Sequence, residues 1–155
     1  MNKNLRKSAG TKTHIFQGNH RFEHWYRDNQ IYFITVKTRD GAHAFQSEDS
    51  RAIFWDRFDY HTAANGFVPI VTSLLSNHYH TLGYLKSGNQ LPKMMNGING
   101  SVAKLVNGTL DERLKPFWHQ DKNHTYFDGC IRDEKQFCLT YRYVLTQCSR
   151  HRICD

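Results

Sequence analysis

The chain has 155 residues, enough for one domain with one hydrophobic core, and its formal net charge of +7 suits a polyanionic partner. No apolar run reaches the roughly 18 residues that cross a membrane, and residues 1–12 lack the apolar segment of a secretory signal. Four cysteines without CxxC spacing argue against a zinc ribbon and suit the reducing cytoplasm, where we expect the protein to reside.

The basic charge is distributed unevenly along the chain. Residues 1–29 carry six Lys or Arg and two acidic residues, whereas residues 60–110 carry three lysines and no acidic residue. A basic surface without acids favours nucleic acid as the partner, with an ordinary basic soluble protein as the alternative. We predict a basic N-terminal tail over residues 1–28 and a single domain over residues 29–155.

The first half of the domain predicts two strands with a helix between them. Residues 30–37 are rich in β-branched and aromatic side chains, which is typical of a strand. Ser47 or Ser50 can cap a predicted helix that runs to about residue 65, and Gly66 is its stop signal. Residues 67–75 form the second predicted strand, in which an early Pro69 indicates an edge position.

The second half of the domain predicts two further strands and two helices. A short turn leads from the second strand into a strand that carries His78 and His80, so these two strands should pair as a hairpin. Apolar residues at helical spacing predict a helix over residues 91–106. The remaining predictions are a loop over 107–123, a strand over 124–131 and a last helix, capped by Asp133, that runs to about residue 148.

The resulting order of elements is β-α-β-β-α-β-α, without an internal repeat or linker. Four strands with two interposed helices fit an α+β fold of the ferredoxin-like, split βαβ type. We therefore predict an antiparallel sheet with helices on one face, followed by a C-terminal helix.

Two pairs of side chains can build a metal-dependent site. Strand alternation points His78 and His80 the same way, with Cα atoms roughly 6.6 Å apart, so both imidazoles can bind one divalent cation. Tyr143 and Gln147 share a face of the last helix, which brings a nucleophile and an amide oxygen together. Tyr141 is a rival nucleophile, but it lies about 200° around the helix from Tyr143. Each pair taken alone is also compatible with a structural role.

These motifs, in their order along the chain, resemble a known family. Residues 77–80 (NHYH) resemble its histidine strand, residues 117–120 (FWHQ) and 126–134 its approach to the tyrosine helix, and residues 142–144 (RYV) that helix. The family is the HUH-type single-tyrosine transposases, most closely the REP-associated tyrosine transposase branch. The resemblance covers about residues 30–150. One departure is Gln147-Cys148, which stands where the branch usually has Asn-Pro.

The resemblance implies cleavage and strand transfer of single-stranded or hairpin-bearing DNA, as in DNA transposition. Tyr143 would be the catalytic nucleophile that forms a 5′-phosphotyrosine bond and leaves a free 3′-hydroxyl. His78, His80 and Gln147 would bind the metal, Mg²⁺ or Mn²⁺, which acts as a Lewis acid on a phosphate oxygen. Candidate contacts to the DNA backbone are Lys37, Arg39, Lys86, Lys93 and Lys104.

Two other functions remain open at this point. The first is a non-catalytic hairpin-binding or single-stranded DNA-binding protein, derived from a transposase but without turnover. The second is a ferredoxin-like RNA-binding module, which would expose aromatic side chains on its central strands. Those aromatics would be Tyr32, Phe33, Tyr79 and Tyr84. A monomer and a homodimer that exchanges tyrosine helices are both compatible with the sequence.

Overall fold

The computed structural model describes residues 26–122 and 124–151, so the predicted basic tail lies outside the described residues except for positions 26–28. None of the helices in this part of the chain combines the length and apolarity that a membrane span requires. The strands are β1 (Gln30–Lys37), β2 (Phe67–Leu74), β3 (His78–Leu85) and β4 (Phe127–Cys130), and the helices are α1 (Glu48–Ala64), α2 (Leu91–Val106), α3 (Glu134–Leu145) and α4 (Gln147–Arg150).

The strands form an antiparallel sheet in the order β2-β3-β1-β4. This order and the two interposed helices confirm the predicted ferredoxin-like α+β fold. β2 is an edge strand, so one of its two sides has no neighbouring strand. Pro69 has no N–H to donate, and on that side no ladder hydrogen bond is lost. In the register, His78 lies opposite Lys37, and His80 lies between Thr35 of β1 and Ser73 of β2.

The main core lies between one face of the sheet and helices α1 and α2. Tyr32, Ile34 and Tyr79 lie on this face of the sheet and are fully buried. α2 supplies apolar side chains at helical spacing, which is why its bounds match the predicted helix. The helical members of this core are Phe54, Phe58, Leu91, Met94, Met95, Ile98, Val102 and Val106.

α3 packs against the opposite face of the sheet, which is the face that carries His78 and His80. Phe33, Leu82 and Val144 form the buried centre of this smaller cluster. The Ser73 hydroxyl of β2 donates a hydrogen bond of 2.5 Å to the carbonyl oxygen of Val144. The helix is therefore attached to the sheet directly beside His80. The partly buried members of the cluster are Ile31, Val71, Phe127, Ile131, Phe137, Tyr141 and Tyr143.

The hairpin of β2 and β3 and the helix capped by Ser47 are confirmed, and the loop after α2 is also present. Two boundaries were wrong. The strand predicted over 124–131 is reduced to β4, and His124 pairs with Asp121 instead of joining the sheet. The last helix does not continue to residue 148. It ends at Leu145, and α4 begins two residues later.

The interruption between α3 and α4 has a local cause. The Thr146 hydroxyl donates to the carbonyl oxygen of Arg142 at 2.8 Å, and the Gln147 side-chain amide donates to that of Tyr143 at 2.7 Å. The Gln147 amide thus occupies the carbonyl oxygen to which the backbone N–H of Gln147 would donate in a continuous helix. A hydrophobicity pattern contains no signal for this competition, so the sequence predicted one continuous helix.

Replacing Gly83 of β3 with alanine is expected to destabilise the fold by about 1–3 kcal/mol. An added Cβ would meet ring carbons of Phe67 and would lie 2.7 Å from the carbonyl oxygen of Val68 in the paired edge strand. Both strands would have to separate to accept it. Urea unfolding measures the loss.

The matched control is Gly100→Ala in α2. Nothing lies within 4 Å of a Cβ at that position, so the substitution should stabilise the helix by up to about 1 kcal/mol. Equal losses in the two variants would contradict the close approach of β2 to β3 at Gly83.

Candidate active site

His78 and His80 lie side by side on the sheet face that α3 covers. Their ring centroids are 4.9 Å apart, and the planes are nearly perpendicular at 83°. The His80 ring also stacks on Phe33 of the neighbouring strand, with 5.7 Å between centroids. His80 is buried and His78 half-buried, so the pair forms the floor of a site that opens toward His78.

One nitrogen of each imidazole is held by a neighbouring side chain. Nδ1 of His78 lies 2.6 Å from the side-chain oxygen of Asn77, and Nδ1 of His80 lies 2.8 Å from the Thr35 hydroxyl. An Nδ1–H that donates to such an oxygen leaves the lone pair on Nε2. Nε2 of His80 is buried and has no hydrogen-bond partner in the described part of the chain. A buried nitrogen of this kind requires a partner that the described residues do not supply.

Both histidines are neutral near pH 7. Burial is the main cause that lowers the pKa of His80 to about 3, with smaller electrostatic effects from His78, Lys37 and His151. Burial, followed by His151 and Lys37, lowers the pKa of His78 to about 4. Neutral imidazoles are the form that binds metal ions. The two nitrogens are thus ready to act as ligands without the loss of a proton.

Tyr143 of α3 lies against His80, the buried member of the histidine pair. Its ring centroid is 5.2 Å from that of His80 and 6.1 Å from that of Phe33, in edge-on arrangements. The tyrosine is half-buried, which leaves a part of the side chain accessible. The helix and the strand therefore meet within one chain.

Tyr141 occupies a different environment from that of Tyr143. It stacks on Phe137, one turn earlier in α3, with 6.1 Å between ring centroids, whereas the ring of Tyr143 contacts His80 and Phe33. No described contact brings it to His78 or His80. The geometry favours Tyr143 over Tyr141 as the nucleophile, in agreement with the helical spacing.

Gln147 is buried at the start of α4 and lies one turn beyond Tyr143. Its amide nitrogen is engaged by the carbonyl oxygen of Tyr143, so the amide oxygen is the atom that can serve a ligand. In residues 26–122 and 124–151, no three side chains chosen from His, Cys, Asp and Glu form a metal-binding group. A cation at the histidine pair would therefore need a third donor of another type, for which the amide oxygen of Gln147 is the predicted ligand.

Of the five basic residues predicted to contact DNA, only Lys37 lies beside the histidine pair. It is exposed and faces His78 across the strand pair. Arg39 is near the same edge, but its guanidinium is engaged by the carbonyl oxygen of Lys115 at 2.5 Å and by the carboxylate of Asp40 at 3.0 Å. Lys37 is consequently the better candidate for contact with a phosphate close to the reacting group.

The other three candidates lie away from the site. Lys86 follows the far end of β3, about 26 Å along the strand from His78. Lys93 and Lys104 are exposed on α2, which covers the opposite face of the sheet. If these lysines contact DNA, the DNA would have to pass around the β-sheet from the histidine pair. Sequence alone could not separate them from Lys37, because the face of the sheet is decided by tertiary packing.

Two residues at the site were not among the predicted site residues. The guanidinium carbon of Arg150 lies 5.6 Å from the ring centroid of Tyr143, and the His151 ring lies 5.5 Å from that of His78. They follow Tyr143 by seven and eight residues, a spacing of about two helical turns. This spacing in the sequence could have indicated that both residues lie near Tyr143. The predicted end of the helix near residue 148 placed both residues outside it.

The low pKa values of the histidines predict an acid-sensitive fold. The imidazole of His80 has a pKa of about 3 in the folded chain and about 6.5 in the unfolded chain. At a pH between these two values, it binds a proton only in the unfolded chain. Stability is therefore retained above pH 6.5 and is lost as the pH falls toward the folded-state pKa. For His80 we expect the free energy of unfolding to drop by ~2 kcal/mol from about pH 7 to about pH 5. Urea unfolding of metal-free protein at both pH values measures it.

His80→Phe is the control for this pH effect. The substitution keeps an aromatic ring against Phe33 and removes the titrating group, so the variant should lose less stability over the same interval. An unchanged pH dependence would assign the effect to other groups.

Solved structures of other proteins share the fold in which these residues lie. No protein-family model and no curated protein sequence matches the chain. The structure of a REP-associated tyrosine transposase bound to a REP hairpin superposes on 86% of this chain and 74% of its own length, with a TM-score of 0.70 and 15% identity. The chain has the fold of a REP-associated tyrosine transposase. A candidate transposase from Deinococcus radiodurans superposes on 85% of this chain and 98% of its own length, with a TM-score of 0.54 and 12% identity.

This transposase fold confirms the predicted resemblance at the level of architecture. Identities of 15% and 12% carry no information about which residues act. The assignment of roles therefore depends on the histidine pair, Tyr143 and Gln147 themselves.

The aromatic residues of the central strands do not support an RNA-binding module. Tyr32 and Tyr79 have no exposed surface and face helices α1 and α2. Phe33 is buried under α3, and Tyr84 alone of the four is exposed. Stacking on bases needs accessible rings on neighbouring strands, which these residues do not provide.

Proposed function

We propose that the chain cleaves single-stranded DNA and transfers the strand through a covalent 5′-phosphotyrosine at Tyr143. The observation that carries this proposal is the position of the Tyr143 ring, 5.2 Å from a buried His80 whose Nε2 has no partner in the described residues. A nucleophile next to two neutral imidazoles suits an attack on phosphorus. The transposase fold of a neighbour bound to a REP hairpin supports hairpin-bearing DNA as the substrate class.

In the proposed reaction Tyr143 supplies the attacking oxygen. The phenolic oxygen forms a bond to phosphorus and loses its proton, the bond from phosphorus to the 3′ oxygen breaks, and that oxygen takes up a proton. The products are a 5′-phosphotyrosine and a free 3′-hydroxyl. The same hydroxyl, or one from another strand, can attack the phosphotyrosine and reverse the step, which gives strand transfer.

The side chains around Tyr143 position the reacting groups. Phe33 and His80 hold the tyrosine ring edge-on, and the bond from Ser73 to the Val144 carbonyl oxygen fixes the helix over the strand. Holding reactants in one geometry accounts for much of the rate of a phosphoryl transfer.

The donor set fits a divalent cation. His78 and His80 would bind it through Nε2, and Gln147 through its amide oxygen, with Asn77 and Thr35 orienting the imidazoles. When bound, Mg²⁺ or Mn²⁺ supplies Lewis-acid activation of a phosphate oxygen. Two imidazoles favour Mn²⁺ over Mg²⁺, because Mg²⁺ prefers oxygen ligands.

The experiment that tests this proposal is covalent capture of DNA. An oligonucleotide with a stable hairpin flanked by single strands is labelled at either end and incubated with the protein and Mn²⁺. The proposal expects a protein–DNA adduct that survives denaturation, retains the label on the 3′ side of the cut and disappears with chelator. Binding of the same DNA without an adduct would favour the non-catalytic DNA-binding protein instead.

A further inference from the structure

A guanidinium group lies over the ring of the proposed nucleophile. The guanidinium carbon of Arg150 is 5.6 Å from the ring centroid of Tyr143, and His80 approaches the same ring from the edge. The arginine follows Tyr143 by seven residues, and α4 keeps it in line, since the backbone N–H of Arg150 donates to Thr146 at 3.0 Å. The backbone of α4 therefore positions the guanidinium over the ring of Tyr143.

Neighbouring contacts hold α4 in place. Gln147, at its start, is buried and bonded to the carbonyl oxygen of Tyr143. His151, at its end, lies with its ring against His78 of β3. Arg150 stands between these two attachments and is itself exposed.

The charge around Arg150 is not neutralised by the described part of the chain. No carboxylate there forms an ion pair with Arg150, whereas Arg39 and Arg57 each pair with a neighbouring aspartate. Lys37 adds a positive charge beside the histidine pair, and among the described residues no acidic group acts on that pair. An exposed arginine in such a positive environment is suited to bind an anion.

We propose that Arg150 is a phosphate-binding residue of this site, which holds the phosphate of the scissile link against the oxygen of Tyr143. A guanidinium presents paired donors that match two phosphate oxygens, and its planar form stacks on an aromatic face. The same group then stabilises the charge that develops on the phosphate during the attack. This inference rests on the proposed function of Tyr143.

Three variants test the role of Arg150. Arg150→Ala removes the group, Arg150→Lys keeps the charge without the paired donors, and Arg57→Ala is the matched control. Arg57 is also an arginine stacked on a tyrosine, with its guanidinium carbon 5.2 Å from the ring centroid of Tyr60, but it lies on α1 across the sheet. Thermal unfolding verifies that all variants fold.

Two measurements are made on each variant with the labelled hairpin oligonucleotide. The rate of adduct formation should fall about 10²–10³-fold in Arg150→Ala. The rate of Arg150→Lys should lie between those of Arg150→Ala and wild type. The rate of Arg57→Ala should equal that of wild type. The association constant K for the DNA is measured at several salt concentrations. In Arg150→Ala the negative slope of log K against log salt concentration should become shallower by about 0.7, which corresponds to the loss of one phosphate contact on a single strand.

The outcomes separate this inference from the proposed function. An adduct in wild type that forms equally fast in Arg150→Ala would overturn the role of Arg150 and leave Tyr143 as the nucleophile. A wild type without adduct would overturn the proposed function, and the salt slope would then decide whether Arg150 binds phosphate. An unchanged slope together with an unchanged rate rejects the inference completely.

Discussion

Tyr143→Phe is expected to abolish covalent capture of single-stranded DNA, with a loss of roughly 10³-fold or more in the rate of adduct formation. The substitution removes only the phenolic oxygen, which is the atom that would bond to phosphorus. The ring contacts with Phe33 and His80 do not require that oxygen, so the fold should be preserved. Denaturing gel electrophoresis of protein incubated with labelled hairpin DNA and Mn²⁺ measures the adduct.

Tyr141→Phe is the matched control for this loss. It removes the same atom from the same helix, two residues away, where the ring stacks on Phe137 in the apolar cluster. The control should form adduct at a rate within a few-fold of wild type. Capture that is lost in Tyr141→Phe and kept in Tyr143→Phe would move the nucleophile to the other face of the helix and remove the reason for placing a metal at the histidine pair.

Much of this fold is encoded in local patterns, which is why it could be predicted from the sequence. The β-branched run of β1, the apolar spacing of α2 and the turn before His78 each act over a few residues. Their order then admits few topologies. The break after Leu145 was not predictable in this way, because it depends on side chains that bond to carbonyl oxygens at the end of α3.

The candidate site was predicted from two pairs of residues at fixed spacings, and the structure keeps only part of that pattern. His78 and His80 follow strand alternation, whereas Gln147 lies in α4, beyond the end of the helix that carries Tyr143. What joins these pairs is packing of α3 on the sheet face opposite to α1 and α2, which no local pattern specifies. For the same reason, the sequence could not predict that Lys37 lies at the site while Lys93 and Lys104 lie across the sheet.

His80→Ala is expected to eliminate specific binding of Mn²⁺ and, with it, adduct formation. In wild type, metal at about 100 times its dissociation constant would stabilise the folded state by about 2.7 kcal/mol, which corresponds to roughly 5–10 °C in Tm for a chain of this size. The substitution removes the buried Nε2 that has no partner in the described residues, so this increase should vanish. Thermal unfolding with and without Mn²⁺ measures the increase in each variant against its own metal-free baseline.

His61→Ala controls for the loss of any histidine. Its imidazole lies on α1 at the contact with α2, away from the histidine pair, so its Mn²⁺-dependent increase in Tm should equal that of wild type. Mg²⁺ should raise the Tm of wild type less than Mn²⁺ at equal concentration, because imidazole nitrogen binds Mn²⁺ better. If His80→Ala kept the full increase, the cation would bind elsewhere, and the buried nitrogen of His80 would need another explanation. A site that holds DNA through Tyr143 and Arg150 without a cation would then be the arrangement to test.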